Sequence, residues 1–225
     1  MNSRALILFL RYPEKGRVKT RLAKVLGDDF VLELYQHFII DILDSCKKVD
    51  ADIVLAYAGS NGNLSNWPLC KAYNCVFQKG SDLGERMYNV LLEVSSLGYS
   101  RLVLIGSDMP DLPAKIISEA FESLKDKDIV LGPSRDGGYY LIGLNRDKTD
   151  YSIFRGVPWS TSQVFEKTIN NLRSKDVSWK ELTLWSDIDD VEDLKHFYDN
   201  YKQKSLKSST MRFLAGNANI FTQAT

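Results

Sequence analysis

Short apolar runs alternate along this chain with longer amphipathic stretches, and that alternation narrows its possible folds more than any other feature. Arg4–Arg11, Asp52–Ala58, Cys75–Gln78 and Arg101–Gly106 read as strands. Between and after them, Phe30–Lys47, Leu83–Leu97 and Ala114–Leu124 read as helices. In the first of these Leu32, Tyr35, Ile39 and Ile42 or Leu43 recur at helical spacing, and in the second Met87, Val90, Leu91 and Val94 do. This is the signature of βα units feeding a mainly parallel sheet. After a strand at Asp128–Leu131 the pattern changes: Gly137-Gly138 breaks the chain just before the apolar run Tyr139–Leu144, leaving no room for a crossover helix. So short a connection predicts an antiparallel strand or a sharp change of direction. A helix at Thr161–Leu172, a strand at Trp179–Leu184 and a closing helix at Val191–Tyr201 complete a mixed α/β sheet.

With 225 residues and 44% hydrophobic content, the chain suits one compact domain, expected over residues 1–202. Lys+Arg and Asp+Glu are both 29, so no global field attracts nucleic acid or an anionic membrane, and phosphate affinity must come from local clusters. The apolar run Ala5–Leu10 is too short to span a bilayer and lacks a small-residue cleavage site, which predicts a buried strand and a cytoplasmic protein. Cys46, Cys70 and Cys75 form no metal-like pairing, and reduced thiols with no disulfide are expected. Residues 203–225, rich in Ser, Lys, Thr and Asn, predict a loosely ordered tail.

The chemistry concentrates in loops. Ile105-Gly106-Ser107-Asp108-Met109-Pro110 puts a carboxylate just past a buried strand, where open α/β sheets bind ligands. Asp108 could hold a divalent cation against a diphosphate or could cap the following helix. After the first strand, Tyr12-Pro13-Glu14-Lys15-Gly16-Arg17-Val18-Lys19-Thr20-Arg21 is a basic turn in which Lys19 and Arg21 are suited to neutralising phosphates. It is neither a Gly-x-Gly-x-x-Gly nor a Walker A loop. Five carboxylates from Asp187 to Asp193 exceed what one helix cap needs, although Asp189 or Asp190 is a natural N-cap. If Asp189 lies beside Asp108, the two would repel each other unless a cation lies between them. Asp136-Gly137-Gly138 is a turn whose glycines let backbone approach a ligand, and Tyr139 and Tyr140 must face opposite ways. Trp159-Ser160-Thr161 reads as a helix cap or a pocket wall, with the cap favoured. Asp82 caps a helix from which Arg86 could reach a nucleotide or, by default, face solvent. His37 and His196 sit inside predicted helices with no nucleophile motif nearby, so no Ser/His/Asp arrangement is supported. Arg11 and Tyr12 stand where an aspartyl phosphatase would need its nucleophile.

Taken in order, Pro13-x-x-Gly16-x-x-Lys19-Thr20-Arg21, Asp82-Leu83-Gly84-Glu85-Arg86, Gly106-Ser107-Asp108-x-Pro110, Asp136-Gly137-Gly138-Tyr139-Tyr140 and Asp189-x-x-x-Asp193-Leu194 resemble a bacterial family of glycosyltransferase-like enzymes. That family is associated with arsenosugar biosynthesis and with radical-SAM and selenoprotein-related clusters, and is similar to phospholactate guanylyltransferases. The resemblance covers roughly residues 4 to 201. It implies a single-domain GT-A-like, nucleotide-diphospho-sugar transferase fold.

The resemblance also implies roles: Asp108 and Asp189 as ligands of Mg²⁺ or Mn²⁺, and Pro13, Gly16, Lys19, Arg21, Asp82 and Arg86 on the nucleotide. Gly137, Gly138, Tyr139 and Trp159 would lie on the substrate side. Asp108, Lys19 and, most weakly, Asp136 would be the catalytic groups. GT-A enzymes usually carry Asp-x-Asp at the metal, whereas Ser107-Asp108-Met109 supplies one Asp, so the second ligand must come from elsewhere. The expected activity is glycosyl transfer from a nucleotide-sugar to a small acceptor. The alternatives are nucleotidyl transfer from a nucleoside triphosphate to a phosphorylated metabolite and nucleotide binding without turnover.

Overall fold

The computed structural model describes residues 3–59, 67–203 and 207–223. Seven strands form one sheet: β1 (Arg4–Arg11), β2 (Asp52–Ala58), β3 (Asn74–Phe77), β4 (Arg101–Gly106), β5 (Ile129–Pro133), β6 (Tyr139–Asn145) and β7 (Trp179–Glu181), in spatial order β3-β2-β1-β4-β6-β5-β7. All neighbouring pairs are parallel except those of β6, which runs antiparallel to both β4 and β5. The reversal expected at Gly137-Gly138 is thus a β-hairpin, closed by Ser134 N donating to Gly138 O at 3.0 Å and Gly137 N to Ser134 O at 3.1 Å. Gly137 takes φ +88°, a conformation that glycine adopts without steric cost.

Both faces of the sheet are covered, which is why β1 reads as an unbroken apolar run. Leu6, Leu8 and Leu10 enter one layer with α2 (Asp28–Cys46), α5 (Ala114–Ser123) and α7 (Val191–Tyr201). Ala5 and Ile7 enter the other with α4 (Leu83–Ser96) and α6 (Val164–Arg173). Tyr140 and Tyr139 likewise part to the two layers. Among the described residues, no helix is long and apolar enough to cross a membrane.

Two expectations are corrected. Cys70 and Cys75 form a disulfide. The short helix α3 (Pro68–Ala72), which Pro68 opens at its first turn, carries Cys70, and the chain then turns into β3, bringing the two Cα atoms to 5.6 Å. Only Cys46 is a free thiol, buried in the core. The tail is not loose throughout: α8 (Ser209–Gly216) docks on α2, with Met211 and Leu214 buried and Phe213 stacked on His37 at 4.7 Å. Asp41 of α2 anchors it by accepting from Ser208 Oγ (2.6 Å), Ser209 N (2.7 Å) and Thr210 N (2.8 Å). Ser208 caps the helix by accepting from Met211 N at 3.1 Å, and the buried carboxylate far away in sequence satisfies the two amides that follow the cap.

Candidate active site

The chain steps outward from β1 to β2 to β3, then crosses back so that β4 lies on the other side of β1. The C-terminal ends of β1 and β4 therefore border the point where strand order reverses, the place where a crevice opens in such sheets. Arg11 and the basic loop leave one lip, and Ser107-Asp108 the other.

Beneath the crevice, the Tyr35 hydroxyl of α2 accepts from the Arg11 amide at 3.1 Å and lies 2.9 Å from Ser107 Oγ, tying the two strand ends together. Burial pushes the Tyr35 phenol well above its ordinary range, so it stays a neutral hydroxyl. Gln78, also buried, donates Nε2 to Leu10 O (3.0 Å) and Ala56 O (2.8 Å), binding the ends of β1 and β2.

The basic loop ends at Lys19, the N-cap of α1 (Thr20–Leu26), whose backbone sits in the left-handed region at φ 43°, ψ 49°. For a residue with a Cβ that costs about 1–2 kcal/mol. The conformation sends the Lys19 side chain, only 6% exposed, to Asp189 Oδ1 at 2.8 Å and Asp108 Oδ1 at 3.1 Å. Burial would push the ammonium pKa down, but the two carboxylates more than offset it and the net direction is upward.

Asp108 is not a helix cap, since Pro113 holds that position for α5. Its carbonyl instead accepts from Ile188 N at 3.0 Å, which pins the Asp187–Asp190 segment against the end of β4. Asp190 is the N-cap of α7 in a reciprocal capping box with Asp193, leaving Asp189 to turn toward Lys19. The two carboxylates that the sequence left apart are thus together, with an ammonium between them.

Two adjoining cavities share this centre. The first, about 480 Å³, is lined by Arg11, Arg17, Lys19, Arg21 and Arg86 together with Gln78, Ser107, Asp108 and Asp189, a strongly basic cleft around one acid pair. The second, about 740 Å³, keeps Arg11, Arg21, Asp108 and Asp189 on its border and adds Met87, Ser134, Asp136, Gly138, Tyr139, Trp159 and Asp187.

Among the predicted residues, Pro13, Gly16, Asp82 and Gly137 line neither cavity. Asp82 caps α4 by accepting from Glu85 N at 2.8 Å, and Gly137 shapes the hairpin. Asp136 borders the second cavity but spends one carboxylate oxygen on Gly138 N at 2.9 Å. Trp159 and Ser160-Thr161 are cavity wall rather than cap: α6 starts later, at Val164, and the Trp159 ring covers Gly84 so closely that a Cβ there would lie 2.5 Å from Cζ2.

Sequence reasoning missed Tyr35 and Gln78, which looked like ordinary helix and strand-end residues, and did not single out Asp187 from its acidic neighbours. Asp187 accepts from Ser134 Oγ at 2.9 Å, and burial, then the charges of Asp189 and Asp136, raise its pKa. Asp111 was also missed; it is half-buried, accepts from Trp185 Nε1 (3.1 Å) and Tyr201 OH (2.9 Å), and ties the segment after β7 to α7.

No curated protein matches the chain by sequence. A solved structure from Desulfovibrio desulfuricans G20, provisionally named a nucleotide-diphospho-sugar transferase, superposes with a TM-score of 0.93 at 35% identity, covering 100% of this chain and 99% of that one. A cytidylyltransferase from Leptospira borgpetersenii serovar Hardjo-bovis shares the fold at TM-score 0.60 and 12% identity, covering 98% of this chain and 97% of its own. The inositol-1-phosphate CTP transferase from T. maritima does so at TM-score 0.57 and 16% identity, covering 95% of this chain and 97% of its own. The nucleotide-diphospho-sugar transferase fold implied by the sequence motifs is therefore the fold of the molecule. Residues 42–161 match the model of the family described as "Uncharacterized protein conserved in bacteria (DUF2064)", and the chain belongs to that family.

Proposed function

We propose that this chain, a transferase, holds a nucleotide-sugar diphosphate in the basic cleft between the ends of β1 and β4 and passes the glycosyl group to a small acceptor in the adjoining cavity. The observation that carries the reading is the convergence of Lys19, Asp108 and Asp189 where the two cavities meet. Arg21 borders both cavities, in position to pair with the diphosphate through its forked donors. Arg11, Arg17 and Arg86 add positive charge on the nucleotide side.

Beyond that border, the wall turns aromatic and acidic. Trp159 and Tyr139, with ring centroids 6.3 Å apart, offer faces for a sugar, and Ser134, Asp136 and Asp187 offer hydrogen bonds to hydroxyls.

The donor set suits a hard divalent cation. Mg²⁺ takes one or two carboxylates and completes its shell with phosphate oxygens and water, and the Asp108–Asp189 pair supplies the protein's share. In this reading Asp108 and Asp189 hold Mg²⁺ or Mn²⁺, which when bound neutralises charge building on the departing diphosphate. Lys19 then turns to the phosphates, and Asp136 and Asp187 orient the acceptor.

Product analysis tests the reading. Incubation with a nucleotide-sugar panel and acceptors is expected to release nucleoside diphosphate. Pyrophosphate release from a nucleoside triphosphate would instead establish nucleotidyl transfer, and tight nucleotide binding with no product would leave a binding subunit.

A further inference from the structure

We infer that Lys19 makes binding of a divalent cation and binding of a nucleoside diphosphate mutually dependent, because its ammonium fills the cation's place until phosphate oxygens draw it away. The inference rests on the site reading above and goes further by assigning a coupling to one residue.

Lys19 Nζ is already within hydrogen-bond distance of both carboxylates, so a cation binding there alone would meet a positive charge between its own ligands. The main chain that carries the two carboxylates is held in place. Asp108 is tied through its carbonyl to Ile188 N at 3.0 Å, and Asp189 N donates to Asp193 Oδ2 at 3.0 Å. The ammonium itself is nearly enclosed, with its side chain 6% exposed, and, the acid pair aside, the other charged side chains lining the cleft with it, Arg11, Arg17, Arg21 and Arg86, are cations that offer it no partner.

The backbone allows little adjustment, since Lys19 is held in the left-handed conformation with its carbonyl accepting from Ala23 N at 2.9 Å. What the cleft lacks for Lys19 is an anion, and a diphosphate brings one. Once the ammonium pairs with phosphate oxygens, the acid pair is free for the cation, which the same phosphates also ligate. Linkage requires the effect to be reciprocal, so the cation must raise diphosphate affinity by the same factor.

The test measures Mn²⁺ affinity by the free-ion EPR signal, without nucleotide and with ADP, CDP, GDP or UDP in turn, for the wild type and for Lys19→Met. Mn²⁺ affinities for each free nucleotide are measured alongside and subtracted. In the wild type, Mn²⁺ alone is expected to bind at least tenfold more weakly than in the presence of the best diphosphate. In Lys19→Met, Mn²⁺ alone should bind at least tenfold more tightly than to the wild type, and Asp189→Asn added to that variant should abolish the gain. Equal Mn²⁺ affinity of wild type and Lys19→Met in the absence of nucleotide overturns the coupling. So does diphosphate binding to the wild type that is indifferent to Mn²⁺, and in both cases the nucleotide reading stands. Failure of all four diphosphates to bind the wild type with or without Mn²⁺ would instead remove the nucleotide reading itself. If Lys19→Met does not fold, the wild-type comparison with and without nucleotide decides alone.

Discussion

Lys19 Nζ lies 2.8 Å from Asp189 Oδ1, a contact that joins the loop after the first strand to the turn before α7 across 170 residues. Removing the acid leaves a nearly buried ammonium with Asp108 as its remaining carboxylate. Because Asp189 is itself 39% exposed, the loss is smaller than for a fully buried pair. Asp189→Ala is expected to cost about 1–2 kcal/mol. A double-mutant cycle with Lys19→Met, read by urea melts, should return a clear coupling energy; strict additivity would show that the contact does not persist in solution.

The hairpin between β5 and β6 allows little change at its tip. A Cβ on Gly137 would stand 2.2 Å from the Ser162 carbonyl oxygen, and the residue's φ is +88°. Both penalties fall on backbone that cannot swing aside, so Gly137→Ala should destabilise by about 2–4 kcal/mol. A thermal melt close to that of the wild type would contradict the described hairpin.

How much of this was legible from the sequence divides by the range of the interaction. The strand ending at Gly106, the helix from Val191 to Tyr201 and the reversal before Tyr139 follow from local periodicity and turn chemistry, and all are found. The pairing of Asp108 with Asp189 did not follow, because it depends on one backbone hydrogen bond, Ile188 N to Asp108 O, between segments some eighty residues apart. The sequence resemblance suggested those two residues, but their approach is a property of the sheet crossover. Tyr35 was legible as a core residue of its helix and illegible as a clasp, since its hydroxyl meets Ser107 and Arg11 only after β1 and β4 become neighbours. The docked tail escaped for a related reason: Ser208–Thr210 looks like solvated polar chain until Asp41 is placed over it.

That docking can be checked directly. Leu214 is fully buried between α8 and α2, and Leu214→Ala should cost about 2–5 kcal/mol. Deleting residues 207–225 should lower the melting temperature as well, because Asp41, 8% exposed, loses its three donors. A deletion that melts like the full chain would restore the picture of a loose tail.

Asp150 gives a pH signature remote from the site. The Lys175 ammonium at 2.7 Å, helped by Ser152, holds its carboxyl down to about 2. A folded pKa below the unfolded value of about 3.9 means that the stabilisation is present above pH 4 and is lost as pH falls toward 2. Asp150 is 54% exposed, so the contribution stays below about 1 kcal/mol. In Lys175→Ala, carbon-detected NMR titration should show the Asp150 carboxyl moving up toward the ordinary range, and an unchanged midpoint would rule out the ion pair.

The Cys70–Cys75 bridge predicts a thiol count. Under denaturing, non-reducing conditions one cysteine, Cys46, should react with maleimide, and all three after reduction. Closing so short a loop is worth about 2 kcal/mol on the chain-entropy model. Cys70→Ser with Cys75→Ser should therefore shift the melt modestly, and three reactive thiols before reduction would show that the bridge does not form.

The antiparallel run of β6 has a consequence for how this scaffold can change. In a wholly parallel sheet the connection after β5 would leave the catalytic end and return along a helix on the far side. Here the chain turns back at once, so the Ser134–Gly138 tip stays at the same rim as Asp108 and Lys19. Ser134, Asp136 and Gly138 of that tip border the larger cavity alone, Lys19 borders the smaller alone, and Asp108 borders both. Exchanging the side chains of Ser134 and Asp136 on that fixed backbone reshapes the larger cavity and leaves the basic lip at Arg17 and Lys19 as it was.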